Sequence, residues 1–174
     1  EETTLRTIVN LPNGNGKKIK IAVLCEDTKV AEAKSAGAEF FNSEILIKDI
    51  TSGKIDFDKL IATPEMMKKI SKLGKILGPK GLMPNPKLGT VTNNIDDAVK
   101  SIKKGQIEIK NDKDGNISAS IGRKSFIDKK IKENYEAFKQ TILKEKPANI
   151  KGDFILSAFL TSSMGVSYKL KVKD

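Results

Sequence analysis

The sequence predicts a protein of mixed α/β and α+β class, divided into two domains. Residues 17–104 alternate between apolar strand-like runs and helix-forming runs, which is the pattern of a parallel sheet covered by helices. After Gly105 apolar residues recur at every second position, which indicates antiparallel strands. The opening residues 1–16 are also strand-like, and we expect them to pair with this later sheet. The α/β block would then be an insertion between residues 1–16 and 105–174.

In the first half of the insertion, the sequence pattern predicts a strand and two helices. The run KKIKIAVLC alternates and then becomes apolar, and the Ala-rich sequence from about Val30 favours a helix. A second helix follows, with Ser43 as its expected N-cap and Gly53 as its end.

The second half repeats this order. The run DFDKLIA predicts a strand, and Thr63 as N-cap with Pro64 at the first helical position predicts the helix after it. The run NNIDDAVKSIKK has apolar residues at helical spacing and ends at Gly105.

The C-terminal part is predicted to contain one hairpin, one helix and two final strands. The run QIEIKNDKDGNISASIG alternates on both sides of its Asp-Gly pair, a hairpin signal. A helix over IDKKIKENYEAFKQTIL has Ser125 or Asp128 as its cap, and the strands DFILSAFLT and VSYKLKVK follow. In the last strand we expect the face that contains Val166 and Tyr168 to pack, and the lysine face to be solvated.

Glycines lie at both junctions of the predicted insertion. The chain enters the α/β block through Gly14 and Gly16 and leaves it at Gly105. Glycine allows backbone conformations that other residues avoid, so we predict that these residues act as hinges between the domains.

Charge directs attention to a polyanionic partner. The 174 residues include 32 Lys and Arg against 22 Asp and Glu, a net charge of +10, which favours nucleic acid. A membrane is not expected, because no long uncharged apolar run is present. Cys25 is the only cysteine and cannot form an internal disulfide.

Several classes of enzyme site are excluded by composition. Histidine is absent, which removes Ser-His-Asp and Cys-His sites and the usual zinc ligand sets. The turn after the first strand of the insertion has no glycine and carries two carboxylates, Glu26 and Asp27, where a phosphate would sit. We expect no cofactor and no metal. A small α/β enzyme that binds a phosphorylated ligand remains the alternative function.

A long stretch of one charge sign is the strongest local feature. No acidic residue occurs from Met66 to Ile95, and the lysines there are Lys68, Lys69, Lys72, Lys75, Lys80 and Lys87. A solvated face usually mixes signs, as residues 128–146 do. On composition alone, an RNA-binding surface and a solvated face are equally favoured. With aromatics at only 5%, recognition should depend on phosphates, 2′-hydroxyls and RNA shape.

The run KLGKILGPKGLMPNPKLGTVT closely resembles the signature of the ribosomal protein L1 family. The similarity continues through LPNGNGK, AGAEFF, DFDKLIATPEMM, NDKDGNI, IGRKSF, KPANIKG and LTSSMG. The signature-loop residues are Lys75, Gly78, Pro79, Lys80, Gly81, Pro84, Asn85, Pro86 and Lys87. This match covers nearly the whole chain.

The resemblance implies a discontinuous α+β RNA-binding domain, residues 1–16 plus 105–174, with an inserted Rossmann-like three-layer α/β domain, residues 17–104. It implies a non-enzymatic constituent of the large ribosomal subunit that binds stalk rRNA beside the tRNA exit site. Such a protein assists release of deacylated tRNA and represses translation of its own mRNA through a similar leader. We expect a monomer off the ribosome, located in the cytoplasm or on an organellar ribosome.

The family's RNA contact centres on a Thr-Met-Gly turn, which matches Ser163, Met164 and Gly165. The predicted RNA-binding residues are Ser157, Ser163, Met164, Gly165, Lys110 and Arg123. Glycine allows close backbone approach, a hydroxyl can bond a ribose or phosphate, and Met can pack on a sugar or base edge. The side chains of Lys110 and Arg123 would hold phosphates.

The chain departs from the family pattern at several places. Ser163 replaces the usual Thr, Val166 stands where Pro is usual, and Asn13 stands where His is common. The family also has an N-terminal segment, with a helix and RNA-contacting residues, that these 174 residues do not contain. We therefore expect a sheet without one covering helix. Either the missing part was cleaved or disordered, or this chain binds RNA less tightly than the intact protein.

Overall fold

The computed structural model describes residues 5–147 and 152–172, which form a mixed α/β fold. The strands are β1 (Arg6–Asn10), β2 (Ile21–Leu24), β3 (Lys59–Ala62), β4 (Gln106–Lys110), β5 (Ala158–Thr161) and β6 (Ser167–Leu170). The helices are α1 (Val30–Ser35), α2 (Ser43–Thr51), α3 (Met67–Ile70), α4 (Gly74–Leu77), α5 (Ile95–Lys103) and α6 (Asp128–Lys144). Short 3-10 turns occupy Asp27–Lys29, Ser71–Leu73 and Pro86–Leu88.

A parallel sheet lies at the centre of residues 17–104. β2 and β3 pair in parallel, and single parallel bridges, Ala22 to Phe40 and Ala62 to Val91, extend the sheet on both sides. Both strands are almost wholly buried, as expected of a parallel sheet covered on two faces. Helices α1 and α5 pack on one face, and α2, α3 and α4 pack on the other. The predicted α/β alternation is confirmed.

The first strand and the strand that follows residues 17–104 form an antiparallel pair. β1 pairs with β4, from Arg6 opposite Lys110 to Asn10 opposite Gln106. The side chains of Val9 and Ile109 are buried against Ile142 of α6. The prediction that the opening strand pairs with the sheet after residue 105 is therefore confirmed.

The hairpin predicted after β4 forms only in part. Asn111 makes a single antiparallel bridge to Ile117. The second strand of the predicted hairpin does not form, since no strand lies between β4 and α6. The Asp112 carboxylate instead accepts the backbone N–H of Asp114 at 3.0 Å and of Asn116 at 2.7 Å. These bonds, the Asn116 bonds above all, lower the pKa of Asp112, and they hold a turn that replaces ladder bonds of a longer hairpin.

The predicted caps of two helices in residues 17–104 are wrong. Asn42, not Ser43, caps α2, because the Asn42 side chain accepts the N–H of Ile45 while the Ser43 hydroxyl bonds the backbone of Cys25. The Thr63 hydroxyl is buried and has no hydrogen-bond partner among the described residues, and α3 begins only at Met67. The Ser43 hydroxyl is bound to the chain just after β2, and Thr63 is buried just after β3.

The start of α6 also differs from prediction. The helix begins at Asp128 with Ile127 in the cap position and no side-chain cap bond, so neither Ser125 nor Asp128 is the cap. Asp128 lies in the first turn, where its negative charge still favours the helix dipole.

The C-terminal hairpin projects into solvent. β5 and β6 pair from Ala158 opposite Leu170 to Thr161 opposite Ser167. Val166 is 72% exposed and Tyr168 is 67% exposed, so the prediction that this face packs is wrong at its turn end. Only the far end, at Leu170, is half-buried. A two-stranded sheet buries a face only where another element covers it.

The three predicted hinge glycines lie where the two chain crossings meet. Gly14, Gly16 and Gly105 all have positive φ, at 63°, 72° and 111°. A Cβ on Gly105 would lie 2.5 Å from the Gly14 Cα, so the crossings touch at a distance that only glycine permits. Asn134 of α6, fully buried, holds this point by donating to the Gly14 carbonyl at 2.7 Å.

Candidate nucleic-acid interface

The predicted RNA-contacting turn joins β5 to β6. Gly165 N–H donates to the Ser162 carbonyl at 3.1 Å and closes the turn. A Cβ on Gly165 would overlap the Ser162 hydroxyl, so a larger residue at this position would require the Ser162 side chain to rotate. Met164 is 99% exposed. The turn therefore presents a free thioether, with the exposed Ser163 beside it, to an approaching ligand.

Ser157 lies at the opposite end of β5 from this turn. Because side chains alternate along a strand, Ser157, Phe159 and Thr161 share one face, and all are exposed. The strand register places Lys169 opposite Phe159, so a cation lies on the same face. This face continues from Ser157 to the turn.

Sequence reasoning missed two residues of this face. Phe159 is 60% exposed, so its ring is available for stacking. Lys169 belongs to the solvated lysine face of the last strand, and only its pairing with β5 brings it beside Phe159. The alternation of DFILSAFLT carried the signal, because it places Phe159 on the same side as Ser157.

The two predicted phosphate-holding residues lie elsewhere. Lys110 is the exposed last residue of β4, opposite Arg6. Arg123 is exposed beside the first crossing, with its Cγ and Cδ 3.1 Å from where a Gly16 Cβ would be. No described contact joins either side chain to the turn at Ser163.

The first part of the signature loop includes the end of a helix and the turn that follows it. Lys75 lies in α4, and Gly78, Pro79, Lys80 and Gly81 form the exposed turn after it. Below this surface Leu77 is fully buried in the core with α2. Lys75 and Lys80 therefore face solvent, while the apolar side of the same segment packs in the core.

The second part of the loop is held by local bonds. Pro84 is buried, and the Asn85 side chain accepts the N–H of Lys87 at 2.9 Å to start the 3-10 turn at Pro86. Asn85 N–H donates to the Thr90 hydroxyl at 2.8 Å. Proline and these bonds restrict the loop to one conformation.

The loop also reaches the β1–β4 sheet. Leu88 is buried and lines a cavity of about 20 Å³ together with Ile8 of β1 and Glu108 of β4. Glu108 forms ion pairs with Arg6 at 2.7 Å and with Lys59 of β3 at 3.1 Å. An apolar contact and an ion pair thus link residues 17–104 to the β1–β4 sheet.

A larger cavity of about 370 Å³ lies at the chain crossings, lined by residues 12–17 and 102–105 among others. Two of its lysines already have partners: Lys17 bonds Asp58 at 2.6 Å, and Lys103 bonds the Gly37 carbonyl at 2.6 Å. The Lys17 bond, with that from the Lys20 N–H, lowers the pKa of Asp58. These cations are engaged within the protein.

The end of the parallel sheet where an α/β enzyme would hold phosphate is acidic. The Glu26 side chain hydrogen-bonds Glu65, and this bond, with the charge of Glu65, raises the pKa of Glu26. Two carboxylates would repel a phosphate here. Within residues 5–147 and 152–172, no group of three or more acidic or cysteine side chains could hold a metal ion. None of the described helices is long and apolar enough to cross a membrane.

Comparison with known proteins gives one consistent result. The sequence model of the Ribosomal protein L1p/L10e family matches residues 1–166. The chain is 58% identical over 172 residues to large ribosomal subunit protein uL1 of Pelagibacter ubique, covering 98% of this chain and 75% of that protein. Proteins of the same name from Kosmotoga olearia and Prochlorococcus marinus are 50% and 49% identical, over 95% and 97% of this chain and 72% of each relative. With a match over nearly its whole length, the chain belongs to the ribosomal protein L1 family.

Proposed function

We propose that this protein is a structural constituent of the large ribosomal subunit that binds the stalk rRNA beside the tRNA exit site. Its relatives carry the name of a large-subunit protein, and its net charge of +10 suits a polyanionic partner. Members of the family are structural and non-enzymatic, so the alternative of a small α/β enzyme is wrong. The exposed turn Ser163–Gly165 is the single observation on which the RNA site rests.

The stalk rRNA would lie on the β5–β6 hairpin. Met164 packs on a sugar or base edge, Ser163 and Ser157 bond ribose or phosphate oxygens, and Phe159 offers one stacking surface. Lys110 and Arg123, which lie away from the turn, would meet phosphates farther along the RNA.

The protein would act through two domains. Residues 1–16 plus 105–174 form the rRNA-binding domain and residues 17–104 the inserted Rossmann-like domain, with hinges at Gly14, Gly16 and Gly105. The three apolar clusters support this partition, because two draw only on residues 17–104 and the third only on the remainder. Movement about the crossings would let a stalk-bound protein follow exit-site tRNA as it is released.

The same RNA site would serve regulation. A leader in the protein's own mRNA that folds like the stalk would compete for the hairpin turn, and its binding would block translation. The protein would act on the ribosome in the cytoplasm, as a monomer when free.

The proposal is tested with Met164→Ala. We expect about tenfold weaker binding to a stalk rRNA fragment, because burying one apolar side chain of this size is worth about 1.5 to 3 kcal/mol and alanine retains part of it. Thermal unfolding should not change, since Met164 supports no core. Ile45→Ala, which removes a similarly exposed apolar side chain on α2, is the matched control and should bind normally.

Two further readouts complete the test. A length-matched unrelated duplex, compared with the stalk fragment between roughly 50 and 200 mM salt, separates specific recognition from charge. A reporter with the stalk-like leader should be repressed by the wild type and released by Met164→Ala. Unchanged affinity of the variant would remove the turn from the site, and equal binding of both RNAs would refute stalk recognition.

A further inference from the structure

The surface of α3 and α4 carries an unusual concentration of positive charge. We define the basic face as Lys68, Lys69, Lys72, Lys75 and Lys80. All five side chains are exposed, and no acidic residue lies between Met66 and Ile95. None of the five forms an ion pair with a residue in the described part of the chain.

The backbone places three of these lysines on one side of a helical segment. From Met67 to Leu77 the chain is helical, with α3 and α4 joined by the 3-10 turn Ser71–Leu73. Ile70, Leu73 and Leu77 are buried and fix the other side of this segment in the core. Lys68, Lys72 and Lys75 follow at spacings of four and three residues, so they form a row about 10 Å long.

In α5 and α6, by contrast, one lysine each has an acidic partner on the same helix. Lys100 of α5 pairs with Asp96, and Lys132 of α6 pairs with Glu136. These pairs neutralise charge within one helix turn. The basic face lacks such partners, so its lysines repel one another until an external anion neutralises them.

The chemistry of the face favours RNA over a lipid surface. A helix that binds a membrane inserts an apolar side beside its cations. Here the apolar residues Ile70, Leu73 and Leu77 are committed to the core, and only charge is presented. About 10 Å of a nucleic-acid duplex carries on the order of six phosphates, enough for each lysine of the row.

We propose that the basic face is a second RNA-binding surface, which holds the phosphate backbone of a structured RNA while the stalk rRNA occupies the turn at Ser163. This inference rests on the proposed function, which supplies the first RNA-binding surface. It does not need the Ser163–Gly165 turn, which lies on a different sheet from the parallel sheet that supports the basic face. The RNA bound here is recognised by backbone charge and shape.

The test compares two triple variants of the whole chain. K68Q/K72Q/K75Q removes three positive charges from the basic face. K18Q/K34Q/K104Q removes three other exposed charges of residues 17–104, which likewise form no ion pair within the described part of the chain. Each protein is first bound to the stalk rRNA fragment, and capture of a transfer RNA transcript is then measured from about 50 to 200 mM salt.

We expect the basic-face variant to capture the transcript at least about tenfold more weakly than wild type. The slope of log affinity against log salt should fall by about 2 to 3, because each lost phosphate contact removes about 0.9. Binding of the stalk fragment itself should be unchanged. The control variant K18Q/K34Q/K104Q should stay within about threefold of wild type in both assays.

Three results would overturn the inference. Equal losses in the two variants would show that only net charge matters, and an equal loss of stalk-fragment binding would place the face within the stalk site. Tighter binding to vesicles of phosphatidylcholine and phosphatidylserine than to RNA would identify a lipid surface instead. A failure of the proposed function looks different, because wild type would not then prefer the stalk fragment over an unrelated duplex.

Discussion

At the scale of single residues, Asn134 carries more of the structure than its polar character suggests. It is fully buried in α6, and its amide group donates to the carbonyls of Gly14 and Ile121, both at 2.7 Å. Its side-chain oxygen accepts the N–H of Asn13 at 3.0 Å. One side chain thus satisfies three backbone groups at the first chain crossing. Asn13, which stands where the family commonly has His, also bonds Glu133 of the same helix at 2.7 Å.

We predict that Asn134→Ala lowers the free energy of unfolding by about 2 to 4 kcal/mol, because buried backbone groups lose their partners. Urea unfolding measures the change. Gln140→Ala, at an exposed position of the same helix, should change stability by no more than about 0.5 kcal/mol. Equal effects of the two substitutions would show that water replaces the Asn134 bonds.

At the scale of elements, two adjacent residues at the start of α2 have different roles. Asn42 supplies the cap by accepting the N–H of Ile45 at 3.2 Å. Ser43 turns inward, where its hydroxyl donates to the Cys25 carbonyl at 2.6 Å and accepts the Cys25 N–H at 3.2 Å. Two adjacent polar residues therefore serve two elements, the helix and the end of the strand β2.

We predict that Asn42→Ala destabilises the protein by about 1 kcal/mol, the usual effect of losing a cap. Asn42→Ser should retain most of the stability, because a hydroxyl oxygen can still accept the helix N–H. Thermal or urea unfolding of the two variants is the measurement. If serine at this position were as damaging as alanine, the Asn42 side chain would not act as a cap.

At the scale of the whole molecule, Glu108 joins the β1–β4 sheet to the parallel sheet. Its carboxylate pairs with Arg6 within its own sheet and with Lys59 across the boundary. Both partners in the Lys59 pair are largely shielded, with side chains 27% and 20% exposed. The pair lies beside the Leu88 contact, so charge and apolar burial act together at this boundary.

We predict a coupling energy of about 1 kcal/mol between Lys59 and Glu108 in a double-mutant cycle with Lys59→Ala and Glu108→Ala. High salt should reduce it. The cycle is measured by urea unfolding, since urea adds no ions. Lys132 and Glu136, which are 4.0 Å apart and exposed, are the control pair and should couple by about 0.5 kcal/mol or less. No coupling above this control would leave the apolar contact as the link.

Much of the fold was predictable from local patterns. The order of strands and helices from Ile21 to Lys103 follows from hydrophobic periodicity, and β1 pairs with β4 as the change of period indicated. Of the candidate site, the exposed turn at Met164 lies where the motif predicted it. Its face with Phe159 was not predicted, because an aromatic residue in a strand gives no sign of which side lacks a cover.

The sequence by itself determined the positive charge, the alternation of elements and the family signature, because these depend on composition and on neighbours along the chain. Only the tertiary structure decided which polar groups meet. Asn134 and Asn13 are 121 residues apart, and Lys59 and Glu108 are 49 apart. It also decided that Val166 and Tyr168 stay exposed. Periodicity predicts which side of a strand is apolar, but burial requires another element to cover that side, and its position depends on the folded chain.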